Sequence, residues 1–280
     1  MRENGDSVRD HVPPGMYPHQ LETLERFVAD TSRDPHAEAV IVGGSIAKGW
    51  HDKHSDVDVL LIVTEDHYAE RKAAGTTAIW ADQYGTYPGG AVDVKYVPRS
   101  YVKAAADRAN EPTKASLVGA TVPWAMDSGT ASEIEGLIAR TVAYPEKGVD
   151  DRIASYLSQI ETMKWYITQA DKRDNPYLAS WVVARGVLFG CRAILAHNRV
   201  LYPYHKWLLR AVESCVDAPA GLTDLARAAC RAPSEATVAP FCDAVLEFRD
   251  WPQRHPSWAE LFIRDTEWAW MQGDAGLEDG

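Results

Sequence analysis

The sequence predicts an α+β chain in two parts: a small mixed β-sheet domain with flanking helices, then an all-α helical bundle. Three observations carry the prediction. Short runs rich in Val and Ile, bounded by Gly, Pro, Asp or Ser, occur only before about residue 150. Beyond that point apolar residues recur at helical spacing, as in Ile153, Leu157, Ile160, Met163 and Ile167. The length of 280 residues suits one large domain or two modest ones. The expected boundaries are a poorly ordered arm over 1–16, the mixed domain over 17–148, the bundle over 149–272 and a frayed tail over 273–280.

Leu21, Leu24 and Phe27 step by three and predict a helix from Tyr17 to Ala29. AEAVIV, ending at Gly43-Gly44, is a first strand, and VDVLLIV (57–63), almost continuously apolar, is a second that is buried on both faces. TTAIWA (76–81) and AVDVKYV (91–97) are further strands around the turn-rich QYGTYPGG. A helix follows over 101–109, a weak strand within 117–126, and a helix over 132–142 capped by Thr130 or Ser132. In the second half, Asp150 is the expected cap of the helix through Ile153. Pro176 opens a helix to His197 that is apolar nearly all round and hence central. Further helices are expected near 204–216, 222–231, 235–248 and 257–271.

Composition narrows the function. Apolar residues are 46% and charged residues 25%, values that exclude a disordered or collagenous chain. Acidic side chains outnumber basic ones 40 to 29, for a net charge of -11. Residues 1–150 hold 15 basic and 23 acidic groups, and 151–280 hold 14 and 17, so neither half is basic. A grip on a long nucleic acid, which needs a surplus of Lys and Arg, is therefore not expected. Cys191, Cys215, Cys230 and Cys242 lack any Cys-x-x-Cys spacing and read as buried free thiols of a reducing cytoplasm. The first 20 residues lack a signal-peptide core and no run approaches 18 apolar residues, so neither secretion nor a membrane is expected.

The chemistry concentrates in Val42-Gly43-Gly44-Ser45-Ile46-Ala47-Lys48-Gly49, followed by Asp56-Val57-Asp58-Val59. A strand runs into a Gly-Gly-Ser turn, which allows close backbone approach and offers N–H donors to an anion. Eleven residues separate Gly44 from Asp56. Asp56 and Asp58, two apart, face the same way, and such a pair calls for a divalent cation or a raised pKa. Mg²⁺, which takes a few carboxylates together with phosphate oxygens, suits it. Asp93 is a third acid inside an apolar β-run, and if that strand pairs beside 57–63 the three converge on a two-metal site. Asp also caps and turns, so one Asp-x-Asp alone would carry little. Three in or beside buried strands are another matter, because burying a carboxylate without a partner is costly.

At these positions the sequence resembles the DNA polymerase β-like nucleotidyltransferase superfamily. Its signature is an apolar residue, Gly, Gly or Ser, a gap, then Asp-apolar-Asp/Glu-apolar, with a third acid on a later strand. Val42-Gly43-Gly44/Ser45, Asp56-Val57-Asp58-Val59 and Asp93 fill those slots. Gly44-Ser45-x-Ala47-Lys48-Gly49 resembles the Gly-Ser-x-Ala-Arg-Gly form of minimal and antibiotic-modifying members, with Lys48 keeping the cation but not the bidentate fork. The layout is similar to that of aminoglycoside (kanamycin-type) nucleotidyltransferases. The resemblance implies an Mg²⁺-dependent transfer of an NMP, AMP from ATP or another NTP, with two metal ions and release of pyrophosphate. Asp56, Asp58 and Asp93 would be the metal and catalytic acids, with Asp93 taking the acceptor's proton. Gly43, Gly44, Ser45 and Lys48 would hold the phosphates. Lys206, in a Pro-Tyr-x-Lys-Trp segment similar to ones in related helical domains, is a further phosphate cation or a solvated helix-start lysine. Lys95 is a similar candidate on the strand of Asp93.

The implied acceptor is a small hydroxylated molecule of the aminoglycoside kind; an alternative is a protein side chain or a tRNA end. The resemblance also allows a homodimer. Other motifs compete less well. His51, Asp52, His54 and Asp56 invite zinc, but no Cys or returning His accompanies them. Arg192-x4-His197 fits the spacing of HEPN ribonucleases; Arg185 and Arg192, seven apart, share a helix face and pair with acids such as Glu161. Trp251, Trp258, Trp268 and Trp270 read as core packing, or as a stacking surface.

Overall fold

The structure, a computed structural model, describes residues 7–273. The chain divides between Ala143 and Tyr144 into two compact units.

In the first unit, α1 (Pro18–Thr31) starts with Pro at its first position and Gln20 bonding back to the Tyr17 N–H. There follow β1 (Ala37–Val42), the single turn α2 (Gly44–Ala47), β2 (Val57–Val63), α3 (Glu65–Ala74), β3 (Ala78–Ala81) and β4 (Val92–Pro98). Next come α4 (Arg99–Arg108), α5 (Glu111–Ser116), β5 (Thr121–Ala125) and α6 (Ser128–Thr141). The strands form one sheet in the order β3-β4-β2-β1-β5. β2 and β4 are parallel and every other pair is antiparallel, so the sheet is mixed as expected.

The sheet's two faces are filled unequally. Val57, Val59, Leu61, Val92, Val94 and Ala81 point to one face and pack with Leu24, Phe27 and Val28 of α1. Each Val, Leu or Phe among them contributes roughly 1.5–3 kcal/mol on burial. On the opposite face Ile62 and Val97 pack with Val102 of α4 and Ile134 and Ile138 of α6. Asp58 and Asp93 lie on that second face by alternation, toward the starts of β2 and β4. The apolar cover on that face falls on Ile62 and Val97, at the other ends of these strands.

The second unit is helical: α7 (Val149–Lys172), α8 (Pro176–His197), α9 (Leu208–Glu213), α10 (Leu222–Arg231), α11 (Glu235–Leu246) and α12 (Trp258–Asp265). Asn175 caps α8 through the Leu178 N–H at 3.1 Å. α8 is long and apolar enough to cross a membrane by length and composition alone, but Arg185 and Arg192 interrupt its apolar run and its residues are mostly buried among the other helices, as expected of a central helix. Gly190 admits Phe241 of α11, since a Cβ there would stand 2.6 Å from the Phe241 ring. α7 and α12 border an open groove of about 350 Å³ lined by Trp165, Tyr166, Trp258 and Phe262.

Several expectations need correction. From Ser7 the arm is ordered, with a 3-10 turn over Val8–His11, Val8, Val12 and Met16 packed on the core, and Arg9 bonded to Glu25. Residues 1–6 and, in the tail, 274–280 lie outside the described residues. α3 and α5 have no counterpart in the periodicity reading: α3 buries no residue, so it has no apolar stripe to read. α6 starts four residues early because Asp127 caps it, accepting from the Thr130 N–H at 2.7 Å and from the Thr130 hydroxyl. α7 starts after Gly148 in the left-handed conformation, leaving Asp150 in the first turn, where its charge suits the helix dipole. All four cysteines are free, but Cys230 is exposed and Cys215 half-buried. Trp251 is buried with its N–H on the Val245 carbonyl, whereas Trp268 and Trp270 are exposed rather than core.

Candidate active site

Sheet register builds the site. Asp58 on β2 lies directly opposite Asp93 on β4. In a parallel pair the two side chains share a face, and Asp56, just before β2, joins them. One carboxylate oxygen from each of Asp56, Asp58 and Asp93 lies within 4.8 Å of the others, the one such group among the described residues. Their half-buried acids repel. Burial, and then the charges of Asp56 and Asp93, raise the Asp58 pKa, which Lys95 and the Ser45 N–H partly offset.

Lys95 completes the cluster. Its Nζ is 2.7 Å from Asp93 Oδ2 and 3.9 Å from Asp58 Oδ1. A cation therefore already sits among these oxygens, as their charge requires. The donor set is all carboxylate oxygen, the chemistry that hard divalent cations such as Mg²⁺ prefer.

The loop before Asp56 is tied down from two sides. Gln20, fully buried on α1, donates through Nε2 to the carbonyls of Asp52 and Ser55, each at 2.9 Å. The Tyr87 hydroxyl donates to the same Ser55 carbonyl at 2.6 Å. These two residues were not legible as site residues, because they are separated from Asp56 by more than 30 positions in sequence.

The Gly43-Gly44-Ser45 turn packs against Asp58 rather than standing open. The Gly43 N–H donates to the Asp58 carbonyl at 3.1 Å, and the Ser45 N–H bonds the Asp58 carboxylate. Two of the N–H donors expected for an anion thus hold Asp58 in place. Gly44, at φ +63°, has no room for a Cβ. Gly43 is constrained, less severely, by α5, since a Cβ there would stand 2.9 Å from the Ser116 carbonyl oxygen. Gly43, Gly44, Asp58, Lys95 and Ser116 line a small cleft of about 90 Å³. Lys48 is turned inward, with Nζ donating to the Gly44 carbonyl at 3.3 Å. Burial pushes its pKa down to about 8 against the pull of Asp58.

Lys206 belongs to the helical unit, not to the sheet unit that carries the acids. It is exposed in a 3-10 turn (His205–Trp207) before α9, with Nζ 5.2 Å from the Trp207 ring.

Residues 21–115 match the family model described as "Nucleotidyltransferase domain". This segment is a nucleotidyltransferase domain. It contains the Gly-Gly-Ser turn, all three carboxylates and Lys95, and nucleotidyl transfer is the activity the domain supports. No curated protein matches the chain. A solved structure, a nucleotidyltransferase-like protein from Exiguobacterium sibiricum 255-15, is similar at 10% identity over 81% of this chain and 73% of that one. Its TM-score is 0.42.

The competing motifs lie elsewhere. Asp52 organises its own loop, accepting from the His54 N–H at 2.8 Å, while His51 bonds the Gly15 carbonyl, so this segment is a structured loop, and of its four residues only Asp56 joins the metal-ligating group found among the described residues. His197 pairs with Asp217 at 2.6 Å and bonds Arg249. Arg185 lies over the Phe189 ring and Arg192 over Tyr156 and Tyr202, and Glu161 pairs with Arg254.

Proposed function

We propose that the protein transfers an NMP, AMP from ATP, to a hydroxyl of a small molecule of the aminoglycoside kind and releases pyrophosphate. The observation that carries this reading is the convergence of Asp56, Asp58 and Asp93 beside the Gly44-Ser45 turn within a nucleotidyltransferase domain. The acidic surface suits a cationic acceptor. The four free cysteines support a reducing compartment, the cytoplasm.

Asp56, Asp58 and Asp93 would hold Mg²⁺, two ions in the proposal, which when bound neutralises the triphosphate and polarises the α-phosphate. The chain's own residues do the rest. The Gly43 and Ser45 N–H groups stay on Asp58, so the β- and γ-phosphates would be met by the rest of the turn, the Gly44 N–H and the Ser45 hydroxyl, and by Lys48. Asp93 accepts the proton of the attacking hydroxyl. That oxygen bonds the α-phosphorus as the bond to pyrophosphate breaks in line, and the rate comes from positioning and charge neutralisation.

The test is incubation with α-labelled ATP, Mg²⁺ and separate panels of aminoglycosides, cell protein and tRNA. Label on an aminoglycoside is expected. Label on protein or tRNA alone would overturn the small-molecule acceptor, and no label on any acceptor would overturn the transfer itself.

A further inference from the structure

Trp80 is the side chain that the reading above leaves unexplained. It lies on β3, an edge of the sheet, in direct register with Asp93 on β4. Opposed residues of an antiparallel pair share a face with Cβ atoms about 4.5–5.5 Å apart. The neighbours agree, because Ile79 and Ala81 belong to the apolar cluster on the α1 face, which leaves Trp80 on the face of the carboxylates. Its side chain is 58% exposed, and among the described residues no hydrogen bond or ring contact holds it. A large flat apolar group is thus displayed to solvent one strand away from a candidate catalytic acid.

The order across the sheet gives that position a meaning. From β1 to β3 the face presents the Gly44-Ser45 turn, then Asp58, then Asp93, then Trp80. In nucleotidyl transfer the incoming and leaving oxygens lie roughly in line through the α-phosphorus. With pyrophosphate departing toward the turn and Lys48, the hydroxyl arrives from the opposite side, past Asp93. The nucleoside, attached to an equatorial oxygen, lies off that axis. The group along the axis, over Trp80, is the acceptor.

We infer that Trp80 is the platform for the acceptor, and that the acceptor is a cyclic polyol, a sugar or cyclitol, whose C–H face lies on the indole while one hydroxyl reaches Asp93. This rests on the nucleotidyl-transfer reading above. The chemistry of the platform selects the class. A pyranose or cyclitol ring has an apolar C–H face and hydroxyls at its rim, so stacking and proton removal are met by one rigid group. A serine or threonine side chain has no flat face to offer.

The experiment measures binding by titration calorimetry to the full-length wild type and to Trp80→Ala and Trp80→Phe. The probes are Mg²⁺ with α,β-methylene-ATP, then kanamycin, glucose and myo-inositol, and a tyrosine-containing peptide. The expected result is that at least one ring polyol binds the wild type, binds Trp80→Ala about tenfold more weakly, and recovers most of that loss in Trp80→Phe. The nucleotide analogue should bind all three proteins within about threefold. Because Trp80 is exposed on an edge strand, both variants should fold, and Trp80→Phe keeps the question answerable if Trp80→Ala does not. Polyol binding that ignores the substitution, no saturable polyol binding to the wild type, a loss confined to the nucleotide analogue, or binding of the peptide alone would each overturn the inference. A wild type that binds no analogue and releases no pyrophosphate would overturn the transfer reading instead, and this is read independently of the polyol arms.

Discussion

Gly44 lies so close to Asp58 that a Cβ on Gly44 would stand 1.9 Å from the Asp58 Oδ2 atom. The turn and the carboxylate are therefore one device: the backbone at Gly44 sets where the acid points. Gly44→Ala would force a left-handed backbone on an alanine and push Asp58 aside. The expected loss is about 2–5 kcal/mol in urea unfolding, combining the left-handed penalty with overpacking. Nucleotidyl transfer should fall with it. A variant of wild-type stability would show that Asp58 moves freely.

Asp56→Asn and Asp58→Asn each remove a charge from a cluster of like charges. Label transfer from α-labelled ATP should drop by about 10²–10³-fold or more, while circular dichroism stays native. Activity left intact would remove these acids from the chemistry.

Metal and pH act on the same group. The Asp58 pKa lies above its ordinary value of 3.8, so the folded metal-free chain holds this proton more tightly than the unfolded one. Its contribution to stability is therefore present at low pH and is lost as pH rises from 3.8 through the raised value. Mg²⁺ should offset that loss at neutral pH, raising the thermal midpoint of the wild type. Asp58→Asn should raise the metal-free midpoint and abolish most of the Mg²⁺ response. Equal responses in both proteins would sink the metal assignment.

Lys48 titrates at about 8 because burial disfavours its ammonium. The cost of that buried charge is present below about 8 and is relieved as pH rises toward 10.5, so this group's share of stability improves across that window. Phosphate affinity should move the other way. The affinity for Mg²⁺ with α,β-methylene-ATP should weaken above pH 8, and Lys48→Arg, whose cation persists, should flatten that limb. An identical profile in the variant would free Lys48 from any phosphate role.

His197 is held by Asp217 and Arg249 and lies 5.6 Å from the Trp251 ring, so its work is structural. His197→Ala should lower stability by about 1–2 kcal/mol, leave label transfer unchanged, and reveal no RNA cleavage in the parent. Cleavage that vanished in the variant would revive the nuclease motif.

Much of the candidate site was legible in sequence because its parts lie in apolar strands or at their ends. Gly43-Gly44-Ser45 and Asp56 stand out as small or acidic residues bounding apolar β-runs, and Asp58 and Asp93 as acids interrupting them. Gln20 and Tyr87, which clamp the loop before Asp56, carry no such signal; a glutamine on a helix and a tyrosine in a turn look like surface until the chain folds. Trp80 hides for the same reason, since its meaning lies in its register with Asp93. The inward turn of Lys48 and the use of the Gly43 and Ser45 N–H groups on Asp58 were likewise invisible.

By itself, then, the sequence determined the division of strands from helices and the acids available for chemistry, because period and residue type are local properties. The tertiary structure decided which acids meet, which cation sits among them and what faces them across the sheet. Parallel pairing of β2 with β4 sets Asp58 against Asp93, and antiparallel pairing with β3 adds Trp80. Register is a relation between distant segments, fixed by burying one face of every strand at once, and a one-residue slip would turn these side chains to the opposite face.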